Sequence, residues 1–256
     1  LGSDALLIVR AAHCTRAHTS TQSYECITVT PLEPELRIQI IHDTLKTFRK
    51  ALPEEEVRRL AQAPQSGSPL FLTLALEELR LDAHHETLSD LLTDILRADD
   101  AQTLLLNNFL LDPDYSRATQ PELAVKFMAM IGASRAGLTE QHLADLLALP
   151  TDTMAADTQK PRIPQERLSH LLNSFGNFLL NKRDRRAAMH RIFGEVALKH
   201  VGEEQIRIAL YQYYQPHSIA DEPYAVAEAL YQLTALAQLE SPQQATYRTE
   251  LITRIQ

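Results

Sequence analysis

Tryptophan is absent from this chain of 256 residues, which also carries only 7 glycines and 2 cysteines. Scarce glycine and 6% aromatic residues, beside long stretches rich in Leu, Ala, Glu and Gln, favour helix over sheet. Cys14 and Cys26 lack a CxxC spacing, which indicates neither a zinc site nor a disulfide framework and makes the reducing cytoplasm the expected compartment. Long apolar runs are missing too. Ala5–Val9 and Phe127–Ile131 fall far short of the roughly 20 residues of a membrane span, and no charged segment precedes an apolar one at the start. A surplus of positive charge is likewise absent: Lys+Arg 25 against Asp+Glu 33 leaves a net charge of -8, so nothing general draws the chain to nucleic acid or to an anionic membrane. No stretch reads GxxxxGKS or GxxxxGKT, the loop whose backbone N–H groups and lysine cradle nucleotide phosphates. HExxH and GxSxG are missing as well, which leaves the ten histidines, His84-His85 and the pair His13 and His18 among them, without a catalytic or metal-binding grouping.

What is present is a globular pattern, 45% hydrophobic, at a length that suits one large domain or a few small ones. Residues 5–12 form one apolar run, and Cys26–Leu32 is rich in β-branched residues and interrupted by Pro31; both read as short strands. Two such strands do not make a stable parallel sheet alone, so residues 1–32 are expected to be the C-terminal remnant of an α/β domain. From Pro34 the period becomes helical, with Leu36, Ile40, Ile41, Leu45 and Phe48 on one stripe. Pro53-Glu54-Glu55-Glu56 opens a second helix running to about Ala63. Ser68 is placed to cap a third, with Pro69 at its first position, and its apolar residues lie nearly all round. A fourth helix spans 86–97, and residues 33–100 thus read as a small helical bundle.

Residues 101–202 have a different grammar. Helices at about 121–134, 139–148 and 164–174, with a turn at Gly137, precede Asn177–Leu180 and Arg186–His190, two short segments flanking a charged Lys182-Arg183-Asp184 turn. Three helices followed by a two-stranded wing describe a winged-helix domain. Polar stretches near 98–120 and 150–163 read as loops that adjust. Residues 203–256 read as three helices, about 203–215, 222–239 and 241–255, that begin a helical-hairpin array. The expected fold class is therefore mainly α: helical bundle, winged helix and helical array, with two remnant strands in front.

The order of Thr30-Pro31-Leu32, an amphipathic helix, Gly67-Ser68-Pro69-Leu70, Glu77-Glu78-Leu79-Arg80, Ser134–Glu140 and Met189-His190-Arg191 resembles the C-terminal half of a NACHT-type STAND NTPase. That resemblance implies a helical lid at 33–100, a winged helix at 101–202 and the start of a superhelical region at 203–256. It also implies ADP or ATP as ligand, with Mg²⁺ in the full-length protein, and an upstream P-loop domain as the principal partner. Homo-oligomerisation on activation and a protein ligand for the C-terminal repeats follow from it too. By the same resemblance Pro69 and Leu70 face the adenine, Gly67 allows close approach, His190 touches the β-phosphate of ADP, and Arg10 lies near a sensor position. Arg191 stands where the related motif commonly carries Asp, which alters the hydrogen-bonding scheme around His190. The chain alone is not expected to hydrolyse ATP.

Two other readings remain open. A winged helix can bind DNA, and Lys182, Arg183, Arg185 and Arg186 give the wing positive charge. The helix at 164–174 offers only Arg167, balanced by Glu166, which disfavours nucleic acid. A helical scaffold or adaptor is the other reading, with Tyr211, Tyr213, Tyr214, Tyr224 and Tyr231 as interface anchors, although tyrosines at helical spacing more often pack internally.

Overall fold

The structure, a computed structural model, describes residues 30–82, 88–111, 121–148, 162–217 and 222–255. Among them the chain is mainly helical, with twelve α-helices and one small three-stranded antiparallel sheet. The strand expected over 5–12 and most of that over 26–32 lie outside the described residues. Residues 30–32 do not pair as a strand.

α1 (Pro34–Thr47) starts with proline, which fits where a helix has no N–H partner to lose, and buries Ile41 and Leu45. α2 (Glu54–Gln62) carries three glutamates in its first turn, where the helix dipole favours them, and buries Val57, Leu60 and Ala61. α3 (Pro69–Asp82) buries Phe71, Leu72, Leu74, Ala75, Leu76 and Leu79, as its near-continuous apolar sequence requires. α4 (Leu88–Leu96) is tied to α2 by Arg59, which donates to Thr93 Oγ1 at 2.6 Å.

The segment expected to be an adjustable polar loop from 98 is instead structured over 101–110. Asp100 caps α5 (Ala101–Leu105), its carboxylate accepting the Thr103 N–H at 2.8 Å, and a π-helical turn continues to Leu110. The Leu111 N–H donates to Leu106 O at 2.9 Å, so one extra residue enters the turn. Leu104, Leu105, Phe109 and Leu110 are fully buried, while Asn108 donates to Glu78 on α3 at 2.7 Å. Polar side chains here serve a helix that packs against both α3 and the later helix α9.

α6 (Pro121–Ala133), β1 (Leu138–Thr139), α7 (Glu140–Ala148), α8 (Gln165–Ser174), β2 (Leu179–Lys182) and β3 (Arg185–Ala188) follow in order. The sheet order is β1-β3-β2, with Leu138 opposite Arg186 and Leu180 opposite Ala187. β1 did not announce itself in the sequence because two residues are too few to show a period. Gly137 precedes it with φ 89°, and a Cβ there would lie 2.5 Å from Arg186 O, so the crossing of β1 over β3 needs glycine. α9 (Arg191–Val201) leads through Gly202 into α10 (Glu203–Tyr214), α11 (Pro223–Gln238) and α12 (Gln244–Ile255). α11 packs on both α10 and α12.

α6 and α9 form the tightest helix pair. Gly132 and Gly194 face each other: a Cβ on the first would lie 2.1 Å from the Cα of the second, and one on Gly194 would lie 2.4 Å from the Cα of Gly132. No side chain fits between backbones at that distance. α6 is buried from Ala124 to Ile131 on every side, and one continuous apolar core runs from Ile41 to Tyr247.

Gly132→Ala and Gly194→Ala are each expected to force α6 and α9 apart, lowering stability by about 2 kcal/mol or more as overpacked cores do. Urea denaturation of each variant measures this, and an unchanged midpoint would refute the contact.

Candidate functional site

The Gly67-Ser68-Pro69-Leu70 segment sits where the chain entering α1 crosses the end of α2. The Leu32 N–H donates to Gly67 O at 2.9 Å. Arg37 on α1 clamps the crossing, donating through Nε to Leu32 O at 2.7 Å and through Nη1 to Ala61 O and Ala63 O at 2.9 and 3.0 Å. Gly67 is buried, and a Cβ on it would meet Pro31 Cβ at 3.0 Å and Arg37 Nη2 at 3.1 Å. The tight approach to residue 67 is therefore made by this chain's own entry segment and Arg37. Ser68 Oγ accepts the Phe71 N–H at 3.4 Å, Pro69 is exposed at the first position of α3, and Leu70 is half-buried.

His190 has extended backbone and caps α9, its Nδ1 accepting the Ile192 N–H at 3.2 Å on an exposed side chain. With Nδ1 as acceptor, the neutral imidazole carries its proton on Nε2, which makes the outward edge a donor. Arg191 is exposed and lies 3.4 Å from Glu195. Among the described residues no hydrogen bond, ion pair or ring contact joins Gly67, Pro69 or Leu70 to His190, and Arg10 lies outside them.

Their two regions are linked one layer further back. Glu77 on α3 accepts from Arg80 Nε and from Asn177 Nδ2, both at 2.8 Å, and Asn177 belongs to the turn just before β2. Burial pushes the Glu77 carboxyl up, but the hydrogen bonds from Arg80 and Asn177, with the Arg80 charge, outweigh it and hold the group below its ordinary range. Beside this link Phe178 meets Phe109 edge-on at 5.5 Å and stacks on Phe193 at 4.9 Å.

Sequence reasoning missed the densest polar cluster, which joins α10 and α11 to the sheet. Glu228 is fully buried and accepts the Arg135 N–H at 3.0 and 3.2 Å, Gln232 Nε2 at 2.7 Å and the Tyr224 hydroxyl at 3.1 Å. Gln232 Nε2 also donates to Ala133 O at 2.8 Å, and the Tyr224 hydroxyl lies 2.8 Å from Gly137 O. α11 thus captures the open end of α6 and the turn after it. Next to it the buried His142 of α7 shares a 2.8 Å hydrogen bond between Nδ1 and the Tyr214 hydroxyl, and stacks on Tyr224 at 6.2 Å. Its Nε2 lies 3.9 Å from Glu222, whose other oxygen is 3.5 Å from His217. Tyr213 donates to Asp145 at 2.9 Å, and Arg162 reaches the same carboxylate at 2.6 Å. Burial raises the phenols of Tyr213, Tyr214 and Tyr224, with neighbouring carboxylates adding to it. The available signal was a Glu and a Gln, four residues apart, on the apolar face of α11.

The β2–β3 hairpin directs part of its charge into the molecule. The Arg185 guanidinium lies 3.3 Å over the Tyr224 ring, and Arg186 pairs with Glu140 at 2.7 Å while also donating to Asn181. Lys182 and Arg183 remain exposed at the tip. Of the tyrosines that an adaptor would use as interface anchors, Tyr213, Tyr214 and Tyr224 pack internally, and Tyr231 is exposed beneath Arg207. Among the described residues no group of three or more His, Cys, Asp or Glu is placed to hold a metal ion, and no helix is long and apolar enough to cross a membrane. Comparison of the chain with protein-family models, with curated proteins and with solved structures gives no match.

Burial holds His142 below the ordinary histidine range; Arg185 adds to this, while Glu222, Asp145 and Asp184 oppose it. The unfolded chain then takes up a proton near pH 6.5 that the folded chain refuses, so stability falls as pH drops through that value and levels off below the folded pKa. The stability advantage of the native chain over His142→Asn is expected to shrink from pH 7 to pH 5 in urea titrations; an advantage that grows on acidification would contradict the burial of a neutral imidazole.

Proposed function

We propose that this chain is the regulatory half of a nucleotide-controlled switch of the NACHT-type STAND class: a helical lid at 33–100, a winged helix within 101–202 and the start of a helical sensor array at 203–256. The observation that carries the reading is the order α6-β1-α7-α8-β2-β3 with sheet order β1-β3-β2, followed at once by His190 at the N-terminus of α9. A winged helix would give that order, which supports the reading, and the cap on Nδ1 leaves Nε2–H as a donor suited to a phosphate oxygen.

In this reading ADP sits between the chain and an upstream P-loop domain, which supplies the phosphate loop and Mg²⁺. The exposed Pro69, with Leu70 behind it, meets the adenine, and His190 holds the β-phosphate; Arg10 belongs to the same contact set. ADP binds one arrangement of lid and winged helix better than the other and so holds the off state. Exchange for ATP releases it and permits homo-oligomerisation. The chain has no hydrolytic activity of its own in this scheme. A helical adaptor is the second reading, favoured by the open cleft between α10 and α12.

His190→Asp separates a cap from a phosphate ligand, since Asp also caps helices but repels phosphate. In a protein that includes the upstream P-loop domain, this variant is expected to release a fluorescent ADP analogue about tenfold faster, the loss of one charge-assisted hydrogen bond, with unchanged melting temperature. Unaltered release would contradict the proposed contact.

A further inference from the structure

Among the described residues β2 is an edge strand, since the sheet runs β1-β3-β2 and β3 is its one neighbour. The Met189 N–H donates to Phe178 O at 2.9 Å, which makes 178 and 189 a hydrogen-bonded pair. Such pairs alternate along antiparallel strands. The pairs 180 with 187 and 182 with 185 are therefore bonded too, and the backbone groups of Leu179 and Asn181 point away from β3. Among the described residues no turn, loop or side-chain hydrogen bond uses those outward groups; Asn181 holds Arg186 through its side-chain oxygen. Leu180 and Met189 are 41% and 44% exposed, and the register puts both on one face of the hairpin with Lys182.

We propose that the free edge of β2 takes up an extended segment of a protein partner as a further strand, with an apolar residue against Leu180 and an acidic one two positions away against Lys182. The outward backbone groups select an extended chain: a helix has its N–H and C=O groups already bonded, whereas a strand brings an outward donor and acceptor at every second residue. Charge sets the sign. Lys182 and Arg183 stand exposed with no ion pair or side-chain hydrogen bond among the described residues. The acids beside them are engaged, Asp184 lying 3.8 Å from Arg185 and Glu140 2.7 Å from Arg186. Leu180 and Lys182 sit two apart on one face, so the same strand that buries Leu180 meets the lysine with its next residue on that face. A second copy of the chain would add two more cations to this edge rather than acids. A nucleic-acid strand would leave the outward peptide groups unpaired, and residues 179–189 carry no aromatic ring on which its bases could stack. This edge is independent of nucleotide binding.

Fluorescence anisotropy on the whole chain tests it with three labelled probes: a short peptide repeating Val-Thr-Glu-Thr, its counterpart with Lys in place of Glu, and a thymine oligonucleotide. The acidic peptide is expected to bind and the other two not to. Asn181→Pro removes an outward N–H from an edge strand, where proline is tolerated, and is expected to weaken binding about tenfold; Asn181→Ala keeps that N–H and is expected to bind as the native chain does. Because proline can also unfold a hairpin, a second variant tests charge alone. Lys182→Gln with Arg183→Gln is expected to weaken binding about tenfold, while Arg58→Gln with Lys199→Gln, an equal change of charge on exposed positions of α2 and α9, leaves it unaltered. The proposal is overturned if the acidic peptide fails to bind, if the basic peptide binds equally, or if the oligonucleotide binds more tightly. It is equally overturned if Asn181→Ala weakens binding as much as Asn181→Pro, if the Lys182 and Arg183 pair proves no more important than the control pair, or if sedimentation shows the chain dimerising through this edge.

Discussion

The backbone contact between Gly132 and Gly194 is the constraint on which the rest of the arrangement depends. Because each would-be Cβ falls within 2.4 Å of the opposite Cα, α6 and α9 can approach this closely only while both positions lack a side chain. α9 is thereby fixed along the most buried helix of the molecule, and what lies at its two ends is fixed with it. At its start stands His190, directly after β3; at its end Gly202, φ 105°, turns the chain into α10. The other end of the same contact matters equally, since the open carbonyl of Ala133 and the N–H of Arg135, just past Gly132, are the groups that α11 captures.

Apolar packing and polar capture divide the labour across this frame. The core from Ile41 to Tyr247 supplies non-directional cohesion, which alone would let α10 and α11 settle in several registers. A buried carboxylate tolerates no such slack, because each unmet hydrogen bond carries the cost of desolvating a charge. Glu228 accepts from Gln232 and Tyr224 on its own helix and from the Arg135 N–H beyond α6, and this last bond, with Gln232 donating to Ala133 O, holds α11 in one orientation against α6. Arg185 of β3 stacking on Tyr224 extends the same joint to the sheet.

Helix positions were legible because apolar residues recur at the helical period, and α1, α3, α6, α7, α8, α10 and α11 begin within a residue or so of where caps and prolines place them. The 101–110 segment was not, since Gln102, Thr103, Asn107 and Asn108 dilute the pattern that Leu104, Leu105, Phe109 and Leu110 carry, and a π turn breaks its period. Of the candidate site residues, Gly67, expected to allow close approach of a nucleotide, is packed against Pro31 and Arg37 of this chain. His190 stands at a helix start as its sequence position suggests. The Glu228 and His142 cluster escaped because its members lie on separate elements, from Arg135 to Gln232, and only the fold brings them together.

In the proposed switch, Pro69 at an exposed helix start and His190 with an outward donor edge would supply this chain's share of a nucleotide site. Calorimetric titration of ADP into this chain, and into a protein extended upstream to include a GxxxxGKS or GxxxxGKT loop, tests that claim most directly. The switch reading predicts no binding to the chain alone and binding to the extended protein that Pro69→Ala weakens. Binding that is absent from both, or unaffected by that substitution, would contradict it.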